Sequence, residues 1–136
     1  MREARKHILI ADTDEEILIN LERILQDEGY ETATAWSTEQ VLKLVESTNV
    51  DLILVSEHPP ELSCKQVLSF LQHGTANPPC IVMQSAVRHP FAEQHLLSMG
   101  AKATVNKWRN HEVIDAVRSH VTPGTARNET KRAVAG

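Results

Sequence analysis

Residues 51–60 read Asp51-Leu52-Ile53-Leu54-Val55-Ser56-Glu57-His58-Pro59-Pro60. Four aliphatic residues in a row end abruptly in a serine, and a polar loop with two prolines follows. A run of that length without polar alternation suits a strand buried on both faces, as in a parallel sheet covered by helices. In open parallel sheets, the carboxyl ends of the strands are where ligands and reacting groups collect. Ser56 therefore occupies a position where chemistry is expected, and a lone hydroxyl there needs an explanation.

The rest of the chain repeats this unit. HILIA (7–11) is a second apolar run, followed by Ile17, Leu21, Ile24 and Leu25 at helical spacing, with Gly29 placed to end the helix. A strand is expected over 32–35, then a helix carrying Val41, Leu42, Leu44 and Val45. After the strand DLILV comes a helix containing Val67, Leu68 and Leu71. CIVMQ (80–84) makes a fourth strand, and a helix with Ala92, Leu96, Leu97 and Met99 ends at Gly100. A short strand at about 103–105 and a helix through Val113, Ile114, Val117 and Val121 complete the series. Thr13…Glu16, Ser37…Gln40 and Ser63…Gln66 fit the capping box, in which a hydroxyl and a side chain three residues later satisfy the first free amides of a helix. Five strand–helix units with short loops give an α/β chain, a parallel sheet with helices on both faces.

With 136 residues the chain is one ordinary domain with room for one core. Residues 1–6 read as a basic arm, 7–121 as the folded domain, and 122–136 as a flexible tail without periodicity. The segments 1–7 and 121–136 each carry a net +2, so with −4 overall the body between them carries −8. An acidic body argues against a nucleic-acid surface. No apolar run approaches membrane-spanning length and no secretory signal is visible, and Cys64 and Cys80 read as reduced thiols, so a cytoplasmic protein is expected.

The residues after strands one, three, four and five resemble those of the receiver domain of two-component response regulators, over about residues 7 to 121. ILIAD puts Asp12 at the first place of the acidic pair, IVMQSA puts Ser85 at the hydroxyl place with Ala86 after it, and TVNKW puts Lys107 at the lysine place. The resemblance implies a flavodoxin-like (βα)5 fold with five parallel strands in the order 2-1-3-4-5. It also implies signalling by phosphoryl transfer from a histidine kinase to an aspartate, with Mg²⁺ held by three carboxylates.

The departures lie at the chemical centre. Ser56 stands at the acceptor aspartate, and Thr13 at the second acid of the pair. Thr104 replaces the aromatic switch, Trp108 the proline after the lysine, and Cys64 the glycine that commonly starts the third helix. Two of three metal-directed carboxylates are thus neutral hydroxyls, so no cofactor is expected and Mg²⁺ binding should be weak or absent. The expectation is a pseudo-receiver in which Asp12, Thr13, Ser56, Ser85 and Lys107 form a degenerate phosphoacceptor pocket, Lys107 pairing with Asp12.

Such a chain would be a non-enzymatic, single-domain response regulator acting in phosphorelay signalling by protein–protein contact. Its partner would be a histidine kinase, another receiver or itself, as a homodimer, through the face made by helix 4, strand 5 and helix 5, with Thr104 and Trp108 at the margin. The alternatives are a small-ligand-binding flavodoxin-like module and a receiver phosphorylated at a substitute acid, Glu57 or Asp14. A ligand phosphate is disfavoured because the first turn, Ala11-Asp12-Thr13-Asp14, is acidic and lacks glycine. Hydrolysis at Ser56 lacks both a nucleophile elbow and a positioned base. Thr13 is expected to cap the first helix, His58 to face solvent, and the seven histidines to form no metal site. Trp36 and Trp108 are expected as half-buried lids, or alternatively as partner contacts.

Overall fold

The computed structural model describes residues 5–74, 77–85 and 90–123. Residues 1–4 of the basic arm and 124–136 of the tail therefore lie outside the described residues, as does Ala86. The elements alternate without exception. They are β1 (His7–Ala11), α1 (Glu15–Asp27), β2 (Glu31–Ala35), α2 (Thr38–Ser47), β3 (Leu52–Val55), α3 (Cys64–His73), β4 (Cys80–Gln84), α4 (Pro90–Ser98), β5 (Ala103–Asn106) and α5 (Asn110–His120). All pairings are parallel and the order is β2-β1-β3-β4-β5, as expected.

The continuous apolar runs explain the two-sided core. On β1, Ile8 and Ile10 face one way, packing with Leu52, Leu54, Met83 and Val105 against α1 and α5. Leu9 and Ala11 face the other, joining Ile53, Val55 and Val82 under Val41, Val67, Leu68 and Leu96 of α2, α3 and α4. Period-two alternation sends every second side chain to each layer, so a strand flanked by helices on both sides must be apolar throughout. The edge strand β2, ETATA, buries only Ala35 fully and tolerates polar residues accordingly.

Helix ends follow the chemistry of free amides, with one revision. Ser37 and Ser63 are the caps of α2 and α3, accepting from the Gln40 and Gln66 N–H groups. At α1 the cap is Asp14, which accepts from the Glu16 N–H, and Thr13 sits one residue outside and exposed. The expected Thr13 cap is thus corrected: a cap must have extended backbone one residue before the first helical turn, and Asp14 has it (φ −90°, ψ 112°). Gly29 after α1 takes a positive φ of 102°, the left-handed conformation that closes a helix.

Register builds the site. Ala11 pairs with Val55, so the next residues, Asp12 and Ser56, emerge side by side from the two central strands. Gln84 pairs with Asn106, which sets Ser85 beside Lys107. Between β1 and β3 the winding reverses direction, the switch point at which open α/β sheets form a crevice.

Candidate functional site

Asp12 is the centre of a closed hydrogen-bond cluster. The carboxylate is completely buried, and each of its oxygens has two neighbours. Oδ2 accepts from the Ser56 hydroxyl at 2.5 Å and from Lys107 Nζ at 3.0 Å. Oδ1 accepts from the Asp14 backbone N–H at 2.9 Å and lies 3.1 Å from His58 Nε2. A carboxylate offers about four lone-pair sites, and all four face a partner here.

Lys107 and Ser56 are also buried, so the cluster stands in a low dielectric. Burial alone would raise the Asp12 pKa. The Ser56 hydroxyl, the Asp14 amide and the Lys107 ammonium outweigh it and hold the carboxyl below its ordinary value. Asp12 and Lys107 form a desolvated pair with additional donors, the arrangement under which a buried ion pair is tolerated.

His58 was expected in solvent and is instead part of this cluster, which corrects the sequence reading. Its Nε2 is 3.2 Å from Lys107 Nζ as well as 3.1 Å from Asp12 Oδ1. One ring nitrogen cannot serve both at once. Deprotonated, it accepts from the lysine; protonated, it donates to the carboxylate. The loop after β3 delivers the ring: His58 and Leu62 exchange backbone hydrogen bonds of 2.8 and 3.0 Å, folding the chain back across the sheet edge. The Pro59–Pro60 peptide inside this return is cis.

The remaining residues are less concentrated. Thr13 is exposed and lines a shallow groove with Trp36 rather than facing Asp12. Ser85 is exposed at the lip of a cavity of about 330 Å³ between α3 and α4, which it shares with His58 and Lys107. Of the two acids considered as substitutes, Asp14 is engaged as the α1 cap and Glu57 accepts the Cys64 N–H at 2.8 Å. Among the described residues no group of three or more His, Cys, Asp or Glu side chains is arranged to hold a metal ion.

Both tryptophans are more open than lids would be: Trp36 is 58% and Trp108 57% exposed. The cause at Trp108 is local. The buried Asn106 side chain accepts the Trp108 N–H at 2.9 Å, turning the chain outward just after Lys107. Thr104, on the edge strand β5, is half-buried.

The two cysteines are buried free thiols. Burial, helped by the neighbouring Glu57 carboxylate, pushes the Cys64 thiol up to about 12, and burial raises Cys80 still further. No helix of the described residues is long and apolar enough to cross a membrane.

No curated relative matches the chain. Solved structures do match, at low identity. A CheY-like response regulator receiver domain protein from Methanospirillum hungatei JF-1 is 23% identical, with a TM-score of 0.76 over 85% of this chain and 93% of its own. A two-component response regulator from Clostridium difficile is 20% identical, with a TM-score of 0.74 over 84% and 93%. The signal receiver domain of a response regulator from Bermanella marisrubri is 18% identical, with a TM-score of 0.75 over 86% and 98%. These likenesses establish the flavodoxin-like fold. The family model for the response regulator receiver domain matches residues 8–118, nearly all of the described chain. The chain belongs to the response regulator receiver domain family, a family of signalling modules rather than enzymes.

Proposed function

We propose that this receiver signals without an aspartyl phosphate, as a cytoplasmic pseudo-receiver that acts through protein contact. The observation that carries the reading is the saturation of Asp12: three donors and the His58 ring surround the one carboxylate left in the pocket, and Ser56 occupies the acceptor position. Mg²⁺ requires near-octahedral oxygen ligands and is normally held by one or two carboxylates with water. Here the remaining carboxylate is committed to a buried ammonium 3.0 Å away, so the residues do not fit the ion. Clustered carboxylates repel by about 4 kcal/mol per pair at 4 Å and an effective dielectric of 20. Thr13 and Ser56 remove that repulsion without a metal, and the pocket becomes structural.

The output would then be a contact with a histidine kinase, another receiver or a second copy, through the α4–β5–α5 face. Trp108 at its margin has the exposure and residue type of an interface anchor. The test is to add Mg²⁺ with acetyl phosphate or beryllofluoride to the full chain and record tryptophan fluorescence and amide NMR shifts. Unchanged spectra are expected. Saturable changes around residues 12, 56, 85 and 107 would overturn the reading and restore an ordinary switch.

A further inference from the structure

Helix α1 and the edge strand β2 enclose a seam that the Asp12 cluster does not touch. On α1, Glu15, Ile19, Glu22 and Gln26 recur at helical spacing and share one face. On β2 and just past its end, Thr32, Thr34 and Trp36 alternate toward the same side. Two hollows lie between these rows, an upper one beside Ile19 and Trp36 and a lower one beside Tyr30. The Thr32 hydroxyl joins them, accepting from Gln26 and donating to Glu22.

The upper hollow is both apolar and acidic. Ile19 and Trp36 are 59% and 58% exposed, so apolar surface stands open on both of its banks. The charged groups of its lining are Glu15 and Glu22, and neither is in an ion pair among the described residues. Arg23, the basic residue of α1, donates to Asn20 instead. The lower hollow is balanced, with Arg5 and His7 against Asp27 and Glu31, and His7 lies 3.1 Å from Glu31.

The chain itself supplies the complement. Tyr30, which lines the lower hollow, donates its hydroxyl to the Val121 carbonyl at 2.5 Å, so the chain leaves α5 at the foot of the seam. Residues 124–136 carry Arg127, Lys131 and Arg132 against Glu129, with Ala133 and Val134 next in line. From Gln26 to Glu15 the seam is about 17 Å long, at roughly 1.5 Å per helical residue. An extended segment covers that distance in about five residues. Arg127 therefore has the reach for Glu22, and Lys131 and Arg132 have the reach for Glu15 with slack.

We propose that the α1–β2 seam is the docking site of this chain's own residues 124–136. Arg127 pairs with Glu22, Lys131 and Arg132 gather at Glu15, and Ala133 and Val134 cover Ile19 and Trp36. Docked in this way, the segment neutralises the acidic bank and shields the apolar one, and a partner that uses Trp36 must first displace it. Neither the α4–β5–α5 face nor Ser56 takes part, so the seam stands apart from the proposed output.

The experiment uses the ¹⁵N-labelled full chain with Ala135→Cys carrying a nitroxide; the two native thiols are buried and stay unlabelled. Selective broadening is expected at the Ile19, Glu22 and Thr34 amides and at the Trp36 indole, with the Trp108 indole sharp. Arg127→Glu, Lys131→Glu and Arg132→Glu together should abolish it and leave the rest of the spectrum unchanged. Glu15→Lys with Glu22→Lys should do the same, and the two sets combined should restore it. Salt near 1 M, where the screening length falls to about 3 Å, should weaken it. Even broadening over the whole surface, broadening at a different face, or survival of either charge reversal overturns the proposal. So does broadening that fades on dilution, which assigns the contact to a second copy.

Discussion

The Ser56 hydroxyl lies 2.5 Å from Asp12 Oδ2, inside a buried cluster at the carboxyl edge of the sheet. Two adjacent parallel strands present these residues side by side, so the contact is a consequence of register and not of side-chain reach. Ser56→Ala should cost about 2 kcal/mol, the usual value of a hydrogen bond to a charged group, read as a lower urea midpoint with unchanged slope. Asp12→Asn and Lys107→Met should each cost about 3–5 kcal/mol, because each strands a buried charge. The double variant should cost clearly less than the two together, and strict additivity would argue against a coupled pair.

Mg²⁺ offers an independent check. A ligand that binds only the native state at a hundred times its dissociation constant stabilises by about 2.7 kcal/mol. Millimolar Mg²⁺ should leave the melting temperature of this chain unchanged. Ser56→Asp should lower it, since a second carboxylate then faces Asp12, and Mg²⁺ should recover part of that loss.

Acid sensitivity follows from the depressed Asp12 pKa. The carboxyl titrates near 3.8 when unfolded and lower when folded. The unfolded state therefore takes up the proton first as pH falls, and the stabilisation is present above about pH 4 and lost below it, down through the folded pKa. At the alkaline end, Tyr30 is raised by burial to about 12 from 10.0, so its contribution holds to pH 10 and disappears between 10 and 12. Denaturant midpoints measured from pH 2 to 11 should fall at both ends. In Asp12→Asn the acid limb should flatten.

The cap assignment separates two neighbours. Asp14→Ala should cost about 1 kcal/mol through loss of the bond to the Glu16 amide. Thr13→Ala should change stability by less than about 0.5 kcal/mol, as for an exposed residue outside the helix. The reverse order in thermal unfolding would return the cap to Thr13.

Trp108→Ala should leave folding intact and weaken partner capture by about 2 kcal/mol or more, the scale of an interface anchor. The measurement is competition between the two proteins for whatever co-purifies with the parent chain. Equal capture would remove Trp108 from the partner surface.

The sheet was legible from residue order because the physics of each element is local. ILIA (8–11), LILV (52–55) and CIVM (80–83) are apolar at every position, and only a strand covered on both sides needs that. The serine caps at 37 and 63 and the glycine at 29 mark helix ends through bonds that span a few residues. The lysine and the first acid were equally readable, since each follows directly from a strand whose register fixes its place.

Sequence alone thus determined the elements, their parallel stacking, and which residues emerge at the carboxyl edge. Three features waited for the tertiary structure. His58 enters the cluster only because the loop after β3 returns on itself at Leu62, and the direction of a short polar loop is set by backbone bonds that no period announces. The cap moved from Thr13 to Asp14 because one residue of backbone conformation decides which oxygen reaches a free amide. Trp108 stands in solvent because Asn106, buried two residues earlier, holds its amide. In each case the deciding contact is a hydrogen bond whose direction depends on where the backbone has already been carried. Hydrophobic burial, which has no direction, could be read from composition and spacing; directed bonds could not.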